Sequence, residues 1–397
     1  KYYMIKENKI YNIVIYGNGL SAKTAVASFS HQGFKPIWVN SIKKEKYEDD
    51  RTTMLSPKSI EFYRKLNLDK LSKDIFPTNK ILIKTKNQKV YTTFEDNQLQ
   101  KPLCYLVENK ILHKDLDALI ATQKKEKIVL EFNDEIDKLQ NNQNYNEIFL
   151  KSGVTLRSSL VVGLDGANSL IRELSGIKSK NYGIKKYGLV GLIEHEMRHP
   201  FTSWQVFSKN GILALLAKEH KSKNRSVSSM IWSLDKEQMN YLLNLETKDF
   251  EKQIENEIGS DLGKLNLVSK LSQWPINRMD VSDPTSLRTV VLGDASHSIY
   301  PLAGQGFNLG VGDIIQLLET LDWARSHGMD FGTSIVLNKY KDKRKFWVNS
   351  VTRLTDGLDW FFSNTTPQMQ NKFGMSLEIL EKLEPLKQKL INLMREN

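Results

Sequence analysis

The 397 residues are 40% hydrophobic and 26% charged, a globular composition with enough apolar mass for a core and a length beyond one domain of about 150 residues. The single cysteine, Cys104, excludes a disulfide framework and a cysteine-held zinc or iron–sulfur centre, no metal site is expected, and no run of about 18 apolar residues exists to span a membrane as a helix. The net charge of +11 suits an anionic partner, but the basic residues are spread out rather than gathered with aromatics between them, so nucleic acid is not expected.

Residues 1–10 lack the apolar core of a secretory signal, so a reducing cytoplasm is the expected compartment. The first periodic segment, residues 11–16, is short and β-branched, with Gly17 directly after it; it reads as a buried strand. The run Gly17-Asn-Gly-Leu-Ser-Ala22 leads into a helix that Gly33 ends, and residues 35–40 form a second strand. In such a unit Gly17 permits the tight turn, Gly19 lets the backbone approach a pyrophosphate, Leu20 lies in the same turn, and Ala22 keeps helix and strand close. The acid that should follow about 20 residues on, to accept from ribose hydroxyls, is Asn40 here. Two readings compete: a nicotinamide cofactor with a 2′-phosphate, helped by Lys43 and Lys44, or an adenosine site with a weakened ribose contact. Under the second, Asn40→Asp should tighten binding.

Residues 81–95 alternate like strands, residues 110–125 read as a helix, and strands follow near 128–132, 148–150 and 160–163. From about 182 to 274 the texture becomes that of an antiparallel sheet, with strands at 204–207, 212–216 and 228–233 and a helix near 248–258. Asn210-Gly211 marks a hairpin, because both residues tolerate positive φ. A buried strand returns at 289–293, and the chain from Gly310 on is mostly helical.

Two later motifs decide between the cofactors. Gly163-Leu-Asp-Gly-Ala-Asn-Ser169 precedes Arg172, and Gly293-Asp-Ala-Ser-His297 leads to Pro301-Leu-Ala-Gly-Gln-Gly-Phe-Asn-Leu-Gly310. Asp294 sits just past a buried strand, where its carboxylate can accept from a polyol. The glycines that follow open a helix whose bare N–H groups form a positive pole, suited to a flavin that becomes anionic on reduction.

With Arg51-Thr-Thr-Met-Leu-Ser56, Tyr105-Leu-Val-Glu-Asn109, residues 204–216 and Thr355-Asp-Gly-Leu358, these strings resemble the class A flavoprotein aromatic hydroxylases of the p-hydroxybenzoate hydroxylase fold. Within that superfamily they are most similar to the ubiquinone-biosynthesis ring hydroxylases. The resemblance implies an α/β chain. A discontinuous Rossmann-like FAD-binding domain takes 10–75, 101–180 and 275–345, an antiparallel-sheet substrate domain takes 76–100 and 181–274, and the C-terminus from 346 to 397 is helical. It implies that Gly17, Gly19, Leu20 and Ala22 hold the FAD pyrophosphate with Arg51 near it, and that Asn40 lies by the ribose. Asp165 and Gly166 would serve FAD and a passing NADH or NADPH, and Asp294 would bind the ribityl chain. Pro301, Gly304, Gln305, Gly306, Phe307 and Asn308 would lie along the isoalloxazine. Gly312 stands where the family often has Arg ahead of Asp313, which implies the loss of one helix contact near the flavin.

The implied reaction is hydroxylation of a polyprenylated phenol by O2 through a peroxide adduct of the flavin; the alternatives are an FAD-dependent hydroxylase of a soluble phenol and a non-catalytic flavoprotein subunit of a quinone-making assembly. The enzyme would work in the cytoplasm, peripherally on the inner face of an anionic membrane or within a quinone-making assembly. The chain lacks the Trp-x-Trp-x-Ile-Pro string of the related halogenases. His297 is a candidate proton donor, although a structural hydrogen-bonding role suits it better. Trp204, Trp232 and Trp274 read as core, Arg172 as a helix cap or a partner of Glu173, and Cys104 as a small buried hydrophobe. The leucines at 377, 380, 383, 386, 390 and 393 read as one face of a helix, against protein or membrane, that Pro385 would kink.

Overall fold

The computed structural model describes residues 9–41, 51–68, 75–85, 90–96, 101–197, 201–218, 226–300, 304–364, 369 and 383–396. Among these, Ile10–Tyr16 lies at the centre of a parallel array, between Thr155–Gly163 and Ile37–Asn40. Leu130–Asn133 extends the array beyond Ile37–Asn40, and Thr289–Val291 extends it beyond Thr155–Gly163. Both faces are covered, which is why these strands are unbroken apolar runs. Ile13, Ile15, Leu160 and Val162 pack under the helices Leu20–His31 and Gln305–Ser326, while Val14, Tyr16 and Val161 meet the hairpin Ile136–Asn141 and Asn146–Leu150. The helix Leu20–His31 stops two residues before Gly33, whose φ of +84° lets the chain turn back.

The second sheet has nine strands. Its spine runs Val90–Glu95, Lys80–Thr85, Thr202–Ser208, Gly211–Lys218, Ser226–Leu234, Ser179–His195, Ser272–Val281. All these neighbours are antiparallel except Lys80–Thr85 with Thr202–Ser208, which are parallel. Alternation along the strands sorts the residues. Trp204, Leu213, Leu215, Met230 and Trp232 face outward, beneath Phe250, Ile254 and Ile258 of the helix Thr247–Ile258. The next residues along, Ala214, Leu216 and Ile231, face the other way. The hairpin forms as expected, but only Gly211 has a positive φ, +119°; a β-carbon there would lie 2.0 Å from the Ser233 carbonyl oxygen.

Joining the two is a three-stranded sheet of Thr52–Leu55, Cys104–Glu108 and Ile75–Thr78. The helix Pro57–Lys65 follows its first strand. Ser56 caps that helix by accepting from Ser59 N, and Pro57 sits at its start, where no N–H is needed. The strand Ile75–Thr78 spans residues 75 and 76, and the helix Ser334–Asn364 runs through 346. Asp356 of that helix and Asp280 both pair with Arg278, 2% exposed, at 2.6–2.7 Å, clasping the helix to the strand Ser272–Val281. Cys104 is buried, and burial pushes its thiol up to about 12.

The helix Glu384–Glu396 begins with Pro385 in its first turn, so the proline opens this helix instead of kinking it. Leu390 and Ile391 pack toward Ile81, Phe94 and Leu216, and Leu383 is exposed. Leu377 and Leu380, and the side chains of Leu386 and Leu393, lie outside the described residues. No described helix is long and apolar enough to cross a membrane.

Candidate active site

Gly17 leaves its strand with φ +141°. Its N donates to Val39 O at 3.3 Å and its carbonyl accepts from Trp38 Nε1 at 2.8 Å. A β-carbon on Gly17 would stand 2.3 Å from Leu164 O and 3.1 Å from the Ala22 Cβ, so the small residue at 22 and the bare one at 17 make a single close contact. Gly19 differs: a β-carbon there would meet nothing within 4 Å. Gly19 is the N-cap of Leu20–His31, and no side chain caps it, so the first N–H groups of the helix, starting with Leu20 and Ser21, have no capping side chain.

Asp165 does not reach toward that space. Its Oδ1 accepts from Ser169 Oγ at 2.6 Å and its Oδ2 from the N–H groups of Leu170 and Ile171 at 2.6 and 3.2 Å. Burial raises its carboxyl pKa, and these bonds offset that rise only in part. It shapes the loop, together with Gly166 at φ +81°. Arg172 proves to be neither cap nor partner of Glu173 alone. Its guanidinium donates to Ala167 O at 2.8 Å and Ala295 O at 2.9 Å, tying the 163–169 loop to the 293–297 turn.

In that turn Gly293 has φ +57° and lies against Gly310 and Ser21, so the turn and the starts of two helices converge at one point. A β-carbon on Gly310 would stand 3.3 Å from the Gly293 Cα, which explains the last glycine of the 301–310 string. Asp294 opens into a cleft on one side and is surrounded by protein on the others. That burial raises its carboxyl pKa, and the nearby His297 opposes the rise. Gly304, at φ +65°, is the uncapped N-cap of Gln305–Ser326, and a β-carbon on it would stand 2.7 Å from the Met54 Cβ.

The cleft holds about 370 Å³ between the two large sheets. One wall carries Ser21, Gly293, Asp294, Gly304, Gly306, Phe307 and Gly310. Arg51 to Met54 form one flank. The opposite wall is the inner face of the nine-stranded sheet, with Val190, Leu216, Ile231 and the stretch Trp274 to Asn277. Trp274 thus lines the cleft, 5.8 Å from the Arg51 guanidinium, whereas Trp204 and Trp232 are core.

Several expected site residues stand elsewhere. Asn308 is 2% exposed and makes four bonds: Oδ1 accepts from Ser56 N and Ser59 Oγ, and Nδ2 donates to Met54 O and Gly304 O. It braces the helix start from behind and does not line the cleft. Gln305 lines a small void with Asn308 and Cys104 on that rear side. His297 is 3% exposed, off the cleft, with Nε2 donating to Asp313 Oδ2 at 2.7 Å, which removes it as a proton donor to the cleft. Pro301, Lys43 and Lys44 lie outside the described residues.

Asn40 ends its strand with Nδ2 donating to Glu131 Oε1 at 3.0 Å and Asn133 Oδ1 at 3.2 Å. These bonds argue against the expectation for Asn40→Asp. A carboxylate at 40 would face Glu131 and replace a charge-assisted hydrogen bond, worth about 1.5–3 kcal/mol, with repulsion. Asn40→Asp is expected to lower the melting temperature and leave FAD affinity unimproved, which a thermal melt and an FAD titration of the same sample will report.

The architecture is the p-hydroxybenzoate hydroxylase fold. It superposes on p-nitrophenol 4-monooxygenase PnpA from Pseudomonas putida with a TM-score of 0.75, at 14% identity, over 97% of this chain and 98% of that one. In sequence the chain is 25% identical over 385 residues to ubiquinone hydroxylase UbiL of Rhodospirillum rubrum, covering 96% of this chain and 88% of that protein. It is 28% identical over 305 residues to the 3-demethoxyubiquinol 3-hydroxylase of Escherichia coli, covering 76% and 75% respectively. Since residues 11–355, most of the sequence, match the family described as FAD binding domain, this chain belongs to that family.

Proposed function

We propose that this protein is an FAD-dependent monooxygenase that hydroxylates the aromatic ring of a polyprenylated phenol on the way to ubiquinone, using O2 and NADH or NADPH. The observation that carries the reading is the cleft. A wall built of Asp294 and an uncapped, glycine-opened helix faces an apolar sheet across about 370 Å³. Relatives named as ubiquinone hydroxylases match nearly the whole chain, which supports the choice of substrate class.

The chain fits the cofactor. The empty space at Gly19 and the uncapped helix start suit a pyrophosphate, so Gly17, Gly19, Leu20 and Ala22 would hold it, with Arg51 contributing charge. Asp294 would accept from ribityl hydroxyls, and the helix opened by Gly304 would turn its positive end to the electron-rich edge of the ring. Bound FAD supplies the electron transfer and the oxygen activation. The protein supplies orientation and dryness. Val190, Leu216 and Ile231 keep water from the reacting face, while Trp274 and Phe307 offer aromatic surface to the phenol.

A tailed phenol resides in a membrane, and the +11 charge suits contact with anionic lipid or with a quinone-making assembly. At about 0.8 kcal/mol per buried CH₂ the tail dominates binding. The test supplies tailed and tailless phenols with NAD(P)H, with and without anionic vesicles, and counts hydroxylated product against hydrogen peroxide. Tight coupling for the tailed phenol alone is expected. Equal coupling for the tailless one, indifferent to vesicles, makes this a hydroxylase of soluble phenols.

A further inference from the structure

We propose that Arg344, on the helix Ser334–Asn364, is a positioning residue for the flavin site: it neutralises Asp313 and so fixes the turn that carries Asp294. The inference rests on the FAD site and not on the hydroxylation chemistry. Asp313 is 1% exposed, on the helix Gln305–Ser326. Its Oδ2 accepts from Gly293 N at 2.9 Å and from His297 Nε2 at 2.7 Å, and its Oδ1 accepts from Arg344 Nε at 2.8 Å. One carboxylate therefore grips both ends of the 293–297 turn. A buried carboxylate without a countercharge is costly. Burial pushes this one up, and His297 and Arg344 overcome it, holding the group at about 2.

Arg344 is itself 6% exposed and anchored a second time by NH2 donating to Leu309 O at 2.9 Å. The space for its guanidinium is the missing side chain at Gly312, where a β-carbon would stand 3.0 Å from both terminal nitrogens. Gly312 admits a guanidinium from another helix, one that lies outside the glycine motifs. Docking of the helix Ser334–Asn364 and the position of Gly293 and Asp294 in the cleft wall become one event.

The division of labour on Asp313 gives a specific test. Arg344→Leu takes away the donor to Asp313 Oδ1 and leaves His297 as the one cation on the buried carboxylate, whereas Asp313→Asn combined with Arg344→Leu keeps an oxygen for Gly293 and His297 and turns the neutral amide toward the former guanidinium. FAD dissociation constants are read from flavin fluorescence on dilution of each holoprotein, with circular dichroism as the control for folding. R344L is expected to bind FAD roughly tenfold or more weakly, and D313N/R344L to return to within about threefold of the wild type. A role for Arg344 in packing alone leaves the double variant as poor as R344L. That result, including the case where neither variant folds, overturns the proposal, as does an R344L protein that binds FAD like the wild type.

Discussion

Gly17→Ala should yield a protein that melts well below the wild type and retains no FAD, whereas Gly19→Ala should melt normally as apoprotein and yet bind FAD poorly. The two glycines sit two residues apart and differ in what surrounds them. At Gly17 an added β-carbon meets Leu164 O at 2.3 Å and Leu164 C at 2.7 Å, at a φ of +141°. Neither atom can yield, because Leu164 N donates to Tyr16 O at 2.8 Å and continues the central sheet. Strain of about 1–3 kcal/mol from the backbone alone adds to that collision. At Gly19 the same methyl enters space that no protein atom fills, so it competes only with what binds there. Thermal melts of the apoproteins and FAD titrations separate the two effects. A normal melt for Gly17→Ala, or undiminished FAD affinity for Gly19→Ala, contradicts the assignment of the turn.

Asp294→Ala should weaken FAD binding far more than Asn40→Ala. Hydrogen bonds to a charged acceptor are worth about 1.5–3 kcal/mol, roughly ten- to over a hundredfold in affinity, against about 1 kcal/mol for a neutral one. The structure widens the gap. Asp294 faces the cleft, while the Asn40 amide nitrogen is already engaged by Glu131 and Asn133, so only its oxygen is left for a ribose. Equal losses in the two titrations would mean that Asp294 does not touch the cofactor.

The residues that must be glycine for local reasons were legible in the sequence. Gly17 follows a strand, Gly211 opens the second strand of a hairpin and Gly304 opens a helix, and the punctuation alone marks each turn. The buried parallel strands were equally plain, because burial on both faces leaves an uninterrupted apolar run. The three-stranded sheet was not: Thr52–Leu55 and Ile75–Thr78 are four residues each, rich in threonine and interrupted by Pro77, and their pairing with Cys104–Glu108 is long-range. Roles within a motif were also hidden. Asp294 and Asp313 each follow a glycine and Asn308 lies two residues from one, but only the fold shows that Asp294 faces the cleft while Asp313 and Asn308 turn inward as braces. Nothing local marks Arg344, whose carboxylate partner lies 31 residues away, and although Arg172 stands beside its motif, its bond to Ala295 spans 123 residues. Trp274 could be sorted from Trp204 and Trp232 only once the register of Ser179–His195 against Ser272–Val281 set it at the cleft.

Isotope labelling separates oxygen insertion by a flavin held in this cleft from every other outcome. The FAD-loaded protein is given a polyprenylated phenol and NAD(P)H under ¹⁸O₂ in ordinary water, and the product is weighed by mass spectrometry. The expected product carries a single new hydroxyl whose oxygen is ¹⁸O, absent when FAD is stripped and restored when it is returned. A hydroxyl that takes its oxygen from water, or reduced flavin that returns all of the O2 as hydrogen peroxide with every tailed phenol, would contradict that insertion.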